Sequence, residues 1–365
     1  MPKIITGGNK LNNNLFELGL NEEIIEEFKQ YYKDGYIGRV ITEYKGMYKV
    51  ITENDIILSQ ISGKISFEAV DRNDYPAVGD WVVLDRDRSD RGNAAIHGIL
   101  QRKSKLSRKV AGTDIDEQII ASNIDIIFIC MSLNQDFNLR KLERYISIAW
   151  NSGGTPVVVL TKSDLCEDIS EKLTEVEKVA IGIDIIHVSS LTYEGLEELK
   201  KYLTFGKTVV FIGSSGVGKS SLINLLLGQD RLKTNEIRES DDRGKHTTTH
   251  RELILLPEGG VVIDTPGMRE IQLLDEEESI EDAFSDITEI SKHCRFSDCK
   301  HDKEPGCAVV KAIEEGVISK SRLDNYNKLK KEAEFIKRKM DRKAELKYKK
   351  EIIRRNKKIR NNNKI

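Results

Sequence analysis

The rhythm of hydrophobic positions changes repeatedly along the chain. Residues 1–34 are polar and Asn-rich apart from an amphipathic stretch at Leu15–Tyr32, which predicts a helical arm. From Tyr36 to about Ser107, apolar and polar residues alternate in short runs: GYIGRVITEY, GMYKVIT, DIILSQISGKISFEA, GDWVVLD and AAIHGIL. Gly, Asn and Asp break these runs about every 10 positions, the spacing of a small antiparallel barrel. Between 118 and 270 the runs become continuously apolar (IDIIFIC, PVVVLTK, IDIIHVSS, TVVFIG), separated by helical segments near 138–151, 168–180, 194–203 and 219–227. Such alternation predicts a parallel sheet covered on both faces. RELILLPEGGVVIDTPG adds a two-stranded hairpin, residues 276–327 read as helical around a cysteine cluster, and a Lys/Arg-rich helix former starts near 328.

The fold class that follows is multidomain. An N-terminal helical arm occupies 1–34, and a barrel of the five-stranded oligonucleotide-binding (OB) type occupies 35–110, with a plain structural barrel as the alternative. An α/β domain spans 111–275, a mostly helical domain with the cysteines 276–327, and a basic tail 328–365.

Charge changes the picture only when it is read by segment. The total is −2, from 58 basic and 60 acidic residues. Residues 328–365 hold 17 basic and 5 acidic side chains, so the tail carries +12 and the rest of the chain −14. An acidic body with a basic tail predicts a polyanionic partner such as nucleic acid; a solvated charged helix is the bland alternative. No stretch approaches the roughly 20 apolar residues of a spanning helix, and the start lacks a signal-peptide core, so no membrane and a cytoplasmic location are expected.

The strongest local motif is GSSGVGKS: Gly213, Ser214, Ser215, Gly216, Val217, Gly218, Lys219 and Ser220, followed by Ser221. It follows the apolar strand TVVFI and opens the helical SLINLLLG, the setting of a phosphate-binding loop. Backbone N–H groups and the helix N-terminus would face the phosphates, Lys219 would reach the β/γ-phosphates, and Ser220 would ligate Mg²⁺. DTPG, Asp264 to Gly267, ends the hairpin about fifty residues later. There Asp264 would hold Mg²⁺ and the Gly267 N–H would sense the γ-phosphate.

TKSD, Thr161, Lys162 and Asp164 with Leu165 next, ends the strand VVVL and resembles the guanine-recognition motif N-K-x-D of GTPases. A carboxylate at Asp164 accepts from both N1–H and the exocyclic amine of guanine, a pair that adenine lacks. Thr161 stands where Asn is usual, which predicts looser base contacts. Ser189 and Ser190, ending IDIIHVSS, match the remaining base-contact loop. Both base motifs precede the phosphate loop, the reverse of the usual order, so the domain reads as circularly permuted.

Five cysteines are spread unevenly: Cys130, Cys166, and a cluster at Cys294, Cys299 and Cys307. With His301 the cluster reads Cys-x₄-Cys-x-His-x₅-Cys, a full ligand set for a closed, structural Zn²⁺ site, one per chain. His293 competes with His301 for the fourth position.

Taken together, TKSD, GSSGVGKS, HTTT, DTPG and the cysteine cluster fall in the order of the ribosome small-subunit-dependent GTPases, the RsgA or YjeQ family, which residues 35–325 resemble. The resemblance implies a GTPase acting on the small ribosomal subunit in late maturation, with GTP and GDP as ligands and rRNA as a contact. A monomer is expected. DTPG reads as switch II, and the permuted order places it directly before the C-terminal domain, so it is expected to pass nucleotide state to the zinc domain. One of Thr247–Thr249, which the sequence does not tell apart and of which Thr248 is the pick, is expected to ligate Mg²⁺. Met268 follows DTPG where many GTPases carry a water-positioning Gln, so turnover without the subunit is expected to be slow. His246 or His250 of RGKHTTTH is the candidate to complete catalysis alongside Lys219 and Asp264; rRNA or a ribosomal protein is the alternative. Gly216 gives no side-chain support for a K⁺ site, and Arg102, Lys103, Lys105, Arg108 and Lys109 are candidate phosphate contacts. An RNA-binding assembly factor holding nucleotide as a structural ligand is the rival reading, and a P-loop ATPase is disfavoured by Asp164.

Overall fold

The computed structural model describes residues 14–69, 71–109, 117–134, 136–229, 232, 251–265, 280–281, 283–296, 299–302, 304–335 and 338. The chain divides into two compact units, one drawn from 1–108 and 118–273, the other from 109–117 and 274–365.

The first unit begins with a turn that buries Leu15 and Leu18, then helix α1 (Glu22–Tyr31), capped by the Asn21 side chain. Helix α1 itself buries no residue fully; the turn before it anchors the arm through Leu15 and Leu18, and Glu27 on the helix accepts from the Gln101 N–H at 2.8 Å. Strands β1 (Tyr36–Tyr44), β2 (Met47–Thr52), β3 (Ile56–Ile61), β4 (Trp81–Leu84) and β5 (Ala94–Ile99) follow, with helix α2 (Gly63–Glu68) between β3 and β4. The order β1-β2-β3-β5-β4 closes through a β1–β4 pairing, which makes a five-stranded barrel. Its alternating pattern sends Val40, Val50, Ile57, Val82, Leu84 and Ile96 inward, where all are fully buried. Gly38 lacks a side chain for a packing reason: a Cβ there would sit 2.5 Å from Val50 Cγ1.

Strands β6 (Lys105–Lys109) and β7 (Glu117–Ser122), paired as a separate two-stranded sheet, follow the barrel in the chain and precede the α/β half. There β8 (Ile126–Ser132), α3 (Leu139–Ser152), β9 (Thr155–Thr161), α4 (Ile169–Glu177), β10 (Asp184–Val188), α5 (Leu196–Lys200), β11 (Thr208–Gly213) and α6 (Lys219–Leu227) alternate as expected. Strands β12 (Glu252–Leu255) and β13 (Val261–Asp264) form the hairpin. The spatial order is β10-β9-β8-β11-β13-β12, parallel as far as β13, with β11 central and buried along its whole length. Phe128, Val157, Val159, Val209 and Phe211 pack with Leu222 and Leu226 of α6 to make the core.

Barrel and α/β sheet are joined directly. Glu252 of β12 pairs with Thr42 of β1 on one side and with Asp264 of β13 on the other. Arg39 of β1, fully buried, reinforces the join. Its guanidinium donates to the carbonyls of Leu18, Gly79 (3.1 Å) and Asn123 (3.4 Å) and to Thr208 Oγ1 (2.9 Å), and lies 5.2 Å over the Trp81 ring. Burial pushes its pKa down to about 10, against the pull of Asp125 and Asp80. Arg102 is likewise drawn inward: it pairs with the buried Asp80 at 2.6 Å and donates to the carbonyls of Asn73 and Tyr75, while Lys103 pairs with Asp125 at 2.7 Å.

In the second unit, helices Ser285–Ser291 and Ala308–Glu314 and a helix over 320–335 gather Phe284, Ile287, Val309, Leu323 and Leu329 into a small core. Arg322, nearly buried, holds Asp286 at 2.8 Å and stacks 4.7 Å from the Phe284 ring. Among the described residues, no helix is long and apolar enough to cross a membrane.

Candidate active site and metal centre

Parallel strands β9, β10, β11 and β13 end on one edge of the sheet, the edge where open α/β sheets bind ligands. Gly213 ends β11 at φ +143°, and a Cβ there would lie 2.4 Å from the Cys130 carbonyl oxygen. Gly216 and Gly218 also have positive φ, +78° and +102°. Val217 between them is buried in the sheet core, so the loop turns around a fixed apolar peg while Ser215 and Gly216 face outward.

Lys219 is the first residue of α6, and its Nζ donates to the carbonyls of Gly213 (2.8 Å) and Ser214 (2.7 Å). Burial pushes its ammonium below the usual lysine range, while Cys130 and Asp264 hold it up. The same burial raises the Cys130 thiol to about 12, which keeps it neutral beside the ammonium. Ser220 and Ser221 follow in the first turn, half-buried. Asp264, half-buried, ends β13 beside β11, and Thr265 after it is buried. His246, His250, Thr248 and Gly267 lie outside the described residues.

The base-recognition residues sit on neighbouring strand ends. The Thr161 hydroxyl, buried, donates to the Val217 carbonyl and so ties the TKSD loop to the phosphate loop. Thr161 therefore performs a tethering task even without an Asn amide. Lys162 adopts a left-handed φ of +59°, after which Ser163–Leu165 form a short 3-10 turn. Asp164 accepts from Ser189 Oγ at 2.5 Å, and that oxygen also accepts from the backbone N–H groups of Leu191 and Thr192. Ser190 is half-buried, while Leu165, Leu191 and Tyr193 are exposed around it. Sequence reasoning passed over Ser163 and Glu194, whose side chains meet at 3.2 Å between the two loops.

In the second unit, Cys294, Cys299, His301 and Cys307 bring four ligand atoms within 4.8 Å of one another. Tetrahedral Zn²⁺, with bonds of about 2.3 Å to sulfur and 2.0–2.1 Å to nitrogen, requires S···S separations near 3.8 Å and S···N separations near 3.5 Å. Cys294 and Cys307 Sγ are 3.8 Å apart, and His301 Nδ1 lies 3.6 and 3.5 Å from them. The residues fit zinc, with His301 in the group and His293 exposed and outside it. Cys307 also caps the helix Ala308–Glu314, accepting from the Val310 N–H at 3.4 Å.

The chain is similar in sequence and fold to known proteins. The family described as RsgA GTPase matches residues 99–274. The protein named small ribosomal subunit biogenesis GTPase RsgA 2 of Lactiplantibacillus plantarum is 48% identical over 323 residues, 88% of this chain and 90% of the relative. The crystal structure of YjeQ from Thermotoga maritima is similar with a TM-score of 0.62 and 30% identity, covering 82% of this chain and 98% of that one. YloQ, described as a circularly permuted GTPase, has a TM-score of 0.59 and 27% identity over 83% of this chain and 96% of its own. Sharing sequence over nearly its whole length and fold with these proteins, the chain belongs to the RsgA GTPase family.

Proposed function

We propose that this protein binds GTP on the β9/β10/β11/β13 edge and hydrolyses it to GDP and phosphate on the small ribosomal subunit, in late subunit maturation. The observation that carries the reading is the Thr161–Val217 hydrogen bond, which ties the TKSD loop to the phosphate loop on one edge of the sheet. The name of the Lactiplantibacillus plantarum relative supports the ribosomal assignment.

Lys219, held by two loop carbonyls, would transfer those hydrogen bonds to the β/γ-phosphates when the nucleotide arrives. Asp164 would accept from guanine N1–H and the 2-amino group. Ser220, Thr248 and Asp264 would hold Mg²⁺, which neutralises charge between the phosphates. Gly267 would meet the γ-phosphate, and His246 or His250 would orient water once the subunit is engaged. Switch II leads along the chain into the zinc-bearing segment, the basis for passing nucleotide state to it. The division at 1–34, 35–110, 111–275, 276–327 and 328–365, rRNA contacts through the barrel and tail, a monomeric state and a cytoplasmic location belong to the same proposal.

Phosphate release measured with GTP and ATP, with and without purified small subunits, tests it. Slow GTP turnover accelerated by subunits, with ATP inert, is the expected result. Equal turnover of ATP, or no acceleration, would overturn it.

A further inference from the structure

The two base-contact loops hold each other by two hydrogen bonds that run in opposite directions. Ser189, from the loop after β10, donates to Asp164 in the loop after β9 at 2.5 Å. Ser163, from the loop after β9, donates back to Glu194 Oε2 at 3.2 Å. Both serines are buried, with 1–2% of their surface exposed, so each hydroxyl is committed to this exchange. The other Glu194 oxygen faces His187 Nε2 at 3.5 Å, and the Glu194 carbonyl accepts from the Ser189 N–H at 3.1 Å. The turn that presents Glu194 is tightly closed. Tyr193 before it has φ +64°, and a Cβ on Gly195 after it would lie 1.9 Å from the His187 carbonyl oxygen.

Ser163 sits between Lys162 and Asp164, the two residues proposed to meet the base. Lys162 holds a left-handed backbone conformation that a long side chain adopts only when its neighbours impose it. The 3-10 turn supplies part of that restraint, through Leu165 N–H to the Lys162 carbonyl at 3.0 Å and Cys166 N–H to the Ser163 carbonyl at 3.1 Å. The Ser163–Glu194 bond adds a second tie, from the loop after the neighbouring strand.

From this geometry we infer that Glu194, acting through Ser163, is a positioning residue for guanine selectivity: it sets the tilt of the Asp164 carboxylate. The inference rests on the reading of Asp164 as the guanine acceptor. Guanine engages that carboxylate with two N–H groups at once, which demands a fixed tilt; hypoxanthine has only N1–H and tolerates a turned carboxylate. Loss of Glu194 therefore weakens guanine nucleotides more than inosine nucleotides.

The test measures dissociation constants for GDP and IDP in the full chain and in Glu194→Ala, Ser163→Ala, the double variant and Glu194→Gln, with melting temperature followed throughout. Either alanine variant is expected to weaken GDP by about 5–10-fold, the net size of one ordinary hydrogen bond, and IDP by less than about 2-fold. The double variant should be no worse than either single one, and Glu194→Gln, which still accepts from Ser163, should keep the selectivity. Ser163→Ala deletes only a hydroxyl and keeps the comparison readable where a Glu194 variant melts. A GDP/IDP ratio unchanged in both alanine variants, whether affinities hold or fall together, overturns the inference, as does additivity of the two. A wild-type chain that binds GDP no tighter than IDP removes the guanine reading, and the inference with it.

Discussion

Glu43 on barrel strand β1 and Arg251, the residue that leads into β12, form an ion pair at 3.1 Å. Arg251 also donates to the Ile119 carbonyl at 3.3 Å, so one guanidinium joins the barrel, β7 and the start of the β12/β13 hairpin. Burial raises the Glu43 carboxyl and lowers the Arg251 guanidinium, each opposed by the other's charge.

Removing one partner of this pair should therefore cost more than removing both. Glu43→Ala is expected to lower unfolding free energy by about 1–3 kcal/mol, because a partly buried cation loses its counter-charge. Replacing Glu43 and Arg251 together by Met and Leu should cost less than Glu43→Ala alone. Urea titration of the three chains decides the order.

The phosphate-loop glycines should separate by mechanism. A Cβ on Gly216 meets nothing within 4 Å, so Gly216→Ala pays only for its positive φ, about 1–2 kcal/mol. Gly213→Ala adds a clash with the Cys130 carbonyl at 2.4 Å, which pushes β11 away from β8. It should be the more destabilised of the two by thermal melting and should lose GDP binding, which a fluorescent-nucleotide titration measures.

One zinc per chain should be released by a strong chelator, with loss of helical circular dichroism from the second unit. His301→Ala should abolish stoichiometric zinc, and His293→Ala should retain it, measured by elemental analysis. Cobalt-loaded protein offers a second readout, since thiolate-to-cobalt bands should persist in the His293 variant alone.

Asp125 gives a pH-dependent contribution whose sign is fixed. Burial would raise its carboxyl, but hydrogen bonds from Lys103 and the Thr208 N–H, with the charges of Lys103 and Lys207, outweigh it and hold it below the usual 3.8. A carboxyl depressed in the folded state stabilises the fold above its unfolded pKa and stops doing so as pH falls through the folded value. Asp125→Asn should thus cost about 1–3 kcal/mol at pH 7, and the difference from wild type should shrink below pH 3.8. Comparing the two chains at each pH cancels losses common to both.

The motifs that could be read from sequence are those whose chemistry is local. Gly213 to Ser220, Thr161 to Asp164 and the cluster from Cys294 to Cys307 each fit within fourteen residues, and spacing alone places their functional atoms together. The alternation of 36–99 likewise reveals a barrel because period two is a property of neighbours. Arg39 gave no such signal. Its partners Leu18, Gly79, Asn123 and Thr208 lie 21 to 169 positions away, and an arginine inside a strand reads as a solvated residue. Arg102 fails in the opposite direction: a basic run suggests a surface, but this guanidinium is held by Asp80. The Ser163–Glu194 bond was invisible for the same reason, since two polar residues 31 positions apart carry no pattern.

Thr42, Glu252 and Asp264 stand in one row across three strands, and that row limits how the protein can be divided. Cutting away the barrel would strip β12 of its outer neighbour and bare Glu252–Leu255 as an edge, the kind of unpaired template that recruits other chains. It would also remove Arg39 from the start of the strand that carries the phosphate loop. The barrel and the α/β sheet are therefore to be moved together, and the barrel is not a cassette that evolution or an engineer can exchange without rebuilding the seam.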